Sequence, residues 1–215
     1  MKICRFSTVF LIGGALLLAG SSRSARAQVV TPLPSDTART ITLTYGLGGQ
    51  VGYFKSSGAD LGALYVGVVG RARLGSSIGL EGTLGYRGGQ TFNFGVINGA
   101  NLSAQVQSIP VTASLIVKLP IQGSLSTYAL GGVGLYFATV SYSAALAQVL
   151  ANETVTKAGL HLGAGVEYPV NSSFGLHADY RYLFLGSVFS ANPTYDFSGK
   201  NYGGSQLTAG LIVYF

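Results

Sequence analysis

The residues most capable of chemistry recur at alternate positions. Lys157, His161 and Glu167 share one stretch, His177, Asp179 and Arg181 the next, and Arg71, Arg73 and Glu81 an earlier pair. Brought together, such side chains support proton or ion transfer, activation of a serine by histidine, or metal ligation. Two histidines among seven acidic residues give no spacing of the kind transition-metal sites use. The glycine runs around Gly46, Gly131 and Gly163 precede no helical pattern, so they are not phosphate loops. The sequence implies no cofactor.

What positions these residues is legible in the composition. The chain has 215 residues, 48% apolar and 9% charged, with 32 glycines and no tryptophan. That excludes disorder, coiled coil and collagen. Mean hydropathy is +0.43, yet beyond the first 20 residues no apolar run approaches the roughly 20 residues that a spanning helix needs. The formal charge of +6 is concentrated at the start: without Lys2, Arg5, Arg23 and Arg26 the chain carries nine basic and seven acidic residues. A net +2 is too weak for a nucleic-acid surface.

Lys2 and Arg5 precede an apolar stretch from Phe6 to Ala19 and a polar stretch ending Ala25-Arg26-Ala27. This is the pattern of a secretory signal peptide over residues 1–27, cleaved to leave Gln28 as N-terminus. The only cysteine, Cys4, leaves with it, so disulfides and thiol chemistry are excluded from the mature chain. Residues 28–38 then form a periplasmic tail and residues 39–215 the folded domain.

From Arg39 the dominant period is two. Residues Thr40–Tyr53 put Ile41, Leu43, Tyr45, Leu47, Val51 and Tyr53 on one face and small or polar residues on the other. Seven more segments alternate likewise, near residues 63–74, 78–87, 107–119, 127–139, 157–168, 174–182 and 206–215. Pro110, which lacks a ladder donor, suggests a bulge or strand end. Short turns at 75–77, 120–124 and 169–173 alternate with long loops at 54–60, 88–106, 140–155 and 185–204, with a helical turn expected over Ala144–Ala151. The pattern predicts an all-β, eight-stranded antiparallel up-and-down barrel. The large apolar side chains would overfill so narrow an interior, whereas glycines and a few charges fit it, so the apolar face is assigned to lipid. Tyr168, Phe174 and Phe215 then fall at the short-turn rim and Tyr53, Tyr86, Phe137 and Tyr182 at the long-loop rim, as aromatic girdles.

Pairing Leu74 with Ile78 sets Arg71 opposite Glu81, with Arg73 diagonal. Pairing Tyr168 with Phe174 sets His161 opposite Arg181, Gly163 opposite Asp179, and Glu167 diagonal to His177. With Lys157 these residues form a polar lumen network. An eight-stranded interior is filled by side chains, so the expectation is a satisfied ion-pair core that plugs the lumen rather than a proton or ion path.

The last strand, Thr208-x-Gly210-x-x-Val213-x-Phe215, resembles the C-terminal signal by which bacterial outer-membrane barrels are handed to their assembly machinery. Tyr128–Gly134, Leu162–Tyr168 and Asp179–Tyr182 are similar to strands of the small eight-stranded outer-membrane barrel family that includes the transmembrane domain of outer-membrane protein A. The resemblance covers about residues 40–215, without a following peptidoglycan-binding domain. It implies residence among outer-membrane lipid in a Gram-negative bacterium, assembly by the barrel machinery, and a monomer. Barrels of this size include lipid A acyltransferases and deacylases, which need a serine and histidine at a lipid-accessible rim. Here both histidines take the lumen phase, so no enzyme is expected. The function expected is structural or surface-interactive, with the aromatics Phe189, Tyr195, Phe197 and Tyr202 of the last loop as a contact surface or as packing over the mouth. The alternative is a small porin-like channel.

Overall fold

A computed structural model describes residues 43–97, 100–121, 123–144, 146–147, 150–189 and 201–215; the expected signal peptide and tail lie outside them. Eight strands are described: β1 Leu43–Ser56, β2 Ala63–Leu74, β3 Ile78–Ile97, β4 Ala100–Lys118, β5 Ser126–Tyr142, β6 Glu153–Pro169, β7 Phe174–Phe184 and β8 Gly204–Tyr214. Each pairs antiparallel with its neighbours in sequence, and β8 returns to β1 to close the barrel, from Gly46 opposite Tyr214 to Ser56 opposite Gly204.

Turn chemistry sets the registers. Between β2 and β3, Gly75 takes a φ of 68°, a left-handed conformation that favours glycine, and Arg71 falls opposite Glu81 as expected. The β6–β7 register differs from the expected one by two residues. Asn171 Oδ1 accepts hydrogen bonds from the backbone N–H of Ser173 and Phe174, both at 2.8 Å, and Val170 N donates to Phe174 O at 2.9 Å. This side-chain turn tightens the tip. As a result Glu167 faces His177, Gly165 faces Asp179, Gly163 faces Arg181 and His161 faces Leu183. A two-residue slip keeps every side chain on its face, so the inward set is unchanged.

The apolar face is the exposed one, with Leu47, Val51, Val68, Leu84, Val133, Leu162 and Leu207 among its members, and all seven residues expected in the two girdles lie on it. On β3 this band ends at Tyr86, whose hydroxyl donates to Gln107 Oε1 at 2.9 Å; beyond it the outward residues are Thr91 and Asn93.

The expected loop at 88–106 is instead a hairpin continuing β3 and β4 past the band. A register shift between Arg87 and Gln90 adds one residue to β3, so the inward phase passes from Glu81, Thr83 and Arg87 to Gln90 and Phe92. Such a bulge interrupts a period-two count, which is why the segment reads as irregular. Pro110 lies inside β4, not at its end, and pairing to β3 skips the stretch between Leu84–Val111 and Arg87–Ser108 where it stands. In the β5–β6 connection Ala147 N donates to Ser143 O and Leu150 N to Leu146 O, both at 2.8 Å, the spacing of the helical turn expected there. Phe189 and Tyr202 of the last loop are buried against the barrel, so they pack over its mouth; Tyr195 and Phe197 lie outside the described residues.

The buried core occupies the lumen, and glycine makes room for it. A Cβ on Gly85 would stand 2.3 Å from the ring of Tyr65, and one on Gly165 would stand 2.6 Å from Tyr128. Gly82, on the lipid face, has nothing closer than 4.0 Å. Gly85→Ala is therefore expected to destabilise the barrel by about 1–3 kcal/mol through overpacking, with Gly82→Ala close to neutral, measured by urea unfolding in lipid vesicles.

Candidate functional site in the barrel lumen

Inward-facing side chains form three levels. At the short-turn level, carboxylates from β3, β6 and β7 converge on two arginines, Arg71 of β2 and Arg181 of β7. Arg71 Nε lies 2.7 Å from Glu81 Oε2 and its Nη1 2.9 Å from Glu167 Oε2. Arg181 Nη2 lies 2.7 Å from Glu81 Oε1 and its Nε 2.5 Å from Asp179 Oδ1. Arg73 pairs with Glu167 and stacks on Tyr214, its Cζ 3.6 Å from the ring centroid. Arg71 Nη2 donates to Tyr128 OH at 3.0 Å, Tyr214 OH donates to Glu167 Oε2 at 3.0 Å, and His177 Nδ1 lies 3.3 Å from Asp179 Oδ2. Each carboxylate thus meets at least one guanidinium, the condition under which buried ions are tolerated.

The middle level is smaller and mostly neutral. His161 Nε2 lies 2.8 Å from Ser114 Oγ, Thr83 and Thr112 hydroxyls are 2.7 Å apart, and Gln50 Nε2 donates to Tyr65 OH at 3.0 Å. Arg87 Nη2 donates to Gln206 Oε1 at 2.6 Å. A serine and a histidine do meet here, but both are buried in the lumen, and His161 Nδ1 has no hydrogen-bond partner among the described residues.

At the long-loop level the lumen turns apolar. Phe54, Phe92, Val106, Tyr136, Leu183, Val188, Phe189 and Tyr202 pack together, with edge-on ring pairs Phe54–Tyr202 at 5.6 Å and Phe92–Phe189 at 5.2 Å between centroids. Gln90 is buried among them, taking a hydrogen bond from Ser56 Oγ at 2.6 Å and giving one to Phe54 O at 2.9 Å.

A closed eight-stranded barrel with a lipid-type exterior and its charges turned inward matches a known sequence profile, that of the outer membrane protein beta-barrel domain, over residues 14–215. The chain belongs to this family. Among solved structures, the family member is similar to the outer membrane protein OprG from Pseudomonas aeruginosa, with TM-score 0.60 and 14% identity over 81% of this chain and 97% of that one. It is also similar to Neisserial surface protein A, with TM-score 0.52 and 20% identity over 80% and 97%. A major outer membrane protein from Thermus thermophilus gives TM-score 0.52 and 14% identity over 80% and 99%. At such identities the likeness is one of fold. No curated protein matches the chain.

The family places this barrel in the bacterial outer membrane, where the exposed apolar band meets lipid. Of the lumen residues expected from the sequence, Arg71, Arg73, Glu81, Glu167, His177, Asp179 and Arg181 come together in one network. His161 sits one level above on Ser114, and half-buried Lys157 lies apart, opposite Tyr136. Sequence reading missed the roles of Tyr128 and Tyr214, which share the inward phase and carry hydroxyls into the network, and the apolar level. In β8, Thr208 and Gly210 face inward and Val213 outward, and Phe215, just past the strand, is exposed; a Cβ on Gly210 would stand against Gly49 O.

Glu81→Ala is expected to leave Arg71 and Arg181 without their shared carboxylate and to cost about 3–5 kcal/mol. Leu84→Arg, on the opposite face of the same strand, is expected to cost about 2–4 kcal/mol by placing a cation in lipid. Both are read from urea unfolding in vesicles, and two neutral results would reverse the assignment of faces.

Proposed function

We propose that this outer-membrane barrel serves a Gram-negative envelope as a closed, monomeric structural element whose extracellular end makes surface contacts. The observation that carries the reading is the filled lumen: an ion-pair level, a hydrogen-bonded level and an aromatic level stand in series. The element best placed for contact is the β3–β4 hairpin, which stands clear of the apolar band and presents Thr91, Asn93, Asn101 and Gln105 outward. These side chains are uncharged and rich in hydrogen-bonding groups.

The reading includes no catalysis. Ser114 and His161 are enclosed by the barrel wall, away from either rim where a lipid ester would enter. Purified protein in planar bilayers is expected to give no stepwise conductance, and sustained open steps would replace this reading by that of a porin-like channel.

Recognition by the barrel assembly machinery through Thr208, Gly210, Val213 and Phe215 belongs to the same proposal. It is supported by their place on the closing strand: Phe215 N donates to Tyr45 O at 2.9 Å beside the β1–β8 seam, and Phe215 is 78% exposed. Phe215→Ala is expected to lower outer-membrane yield severalfold while export across the inner membrane is unchanged, as measured by fractionation. Equal yields would remove this part of the proposal.

A further inference from the structure

Among the described residues, one fully buried lumen charge has no counter-charge. Arg71, Arg73 and Arg181 stand against Glu81, Glu167 and Asp179, three cations on three carboxylates within 4.0 Å. Arg87, one level higher, is 2% exposed and has no carboxylate in salt-bridge range among the described residues. Its Cζ lies 4.0 Å from the Phe54 ring centroid and 5.0 Å from that of Tyr136. Rings placed over the guanidinium favour its charge but do not accept its in-plane N–H groups. Nη2 donates to neutral Gln206 and the hydroxyls of Tyr136 and Tyr202 lie close to the guanidinium, while Nε and Nη1 are buried without a well-aligned hydrogen bond among the described residues. A guanidinium does not deprotonate in a protein, so it cannot escape burial by losing its charge.

We propose that Arg87 holds a single halide ion, chloride under ordinary conditions, in the lumen between the ion-pair level and the aromatic level. A cavity of about 10 Å³ adjoins Arg87, the room for one water-sized particle. Its lining is mostly polar, with Tyr136, His161, Thr112, Arg181 and Gln206 beside Pro110 and Leu183, and no carboxylate among the described residues. His161 Nδ1 also lacks a hydrogen-bond partner among the described residues. The size excludes phosphate, sulfate and organic anions, and two arginines at the wall exclude a metal cation. A water would satisfy an N–H but leave the charge uncompensated; a monatomic anion does both. The inference goes beyond the proposed function, since it concerns the lumen whatever the loops contact.

The test uses the whole barrel refolded separately in sodium chloride, bromide and gluconate at equal ionic strength. Crystals grown in bromide are expected to show an anomalous peak within hydrogen-bond distance of Arg87 Nε or Nη1. In solution the urea midpoint of the natural protein is expected to rise with the logarithm of chloride concentration at constant ionic strength, as for a ligand that binds only the folded state. Arg87→Gln is expected to abolish that dependence; should it fail to refold, the bromide peak and the natural protein's titration decide. A water, or one of the chain's own carboxylates, in place of the peak overturns the proposal. So do equal midpoints in chloride and gluconate, or a chloride dependence that survives Arg87→Gln.

Discussion

Hydrocarbon offers no partner to a backbone N–H or C=O, so a sheet that crosses a membrane must satisfy all of them within itself and can have no edge there. The pairing of β8 with β1, from Gly46–Tyr214 to Ser56–Gly204, meets that condition here, and the rest of the structure depends on it. Once the ring closes, alternation along each strand sorts the side chains into two solvents. Leucines, valines and girdle aromatics go to lipid, and whatever remains must fit a lumen only eight strands around. Glycines such as Gly85 and Gly165 let tyrosines lie flat inside.

The same closure forces the charges inward and obliges them to find one another. Carboxylates spread over β3, β6 and β7 meet arginines from β2 and β7, with Tyr128 and Tyr214 occupying the remaining hydrogen-bonding directions. Because each group has several partners on several strands, the network ties β2, β3, β5, β6, β7 and β8 together across the lumen in addition to the ladders between them.

The two ends of the barrel differ for a physical reason. Short turns hold the ion-pair level close to the membrane rim, where neighbouring strands begin in tight register. At the other end β3 and β4 run on past the lipid band and carry Phe92 and Val106 inward above it, so an apolar cluster packs inside the long-loop end while the hairpin's outer face stays polar. With the apolar residues gathered inside, the outer surface is free to differ in character from the lumen.

Period-two alternation, the apolar composition and the placement of large side chains opposite small ones were enough to read the eight strands, the closed barrel, its lipid-facing side and the inward set of charges from the residues alone, because each depends only on spacing within one strand. Adjacent partners across a minimal turn, Arg71 and Glu81, were legible for the same reason. Tertiary structure decided what spacing cannot carry. The Asn171 turn moved the β6–β7 register by two, a bulge after Arg87 hid the β3–β4 extension, and curvature of the ring brought Arg181 to Glu81 and Arg71 to Glu167, contacts across 100 and 96 residues. Local alternation says which way a side chain points, but only closure of the barrel says what it meets there.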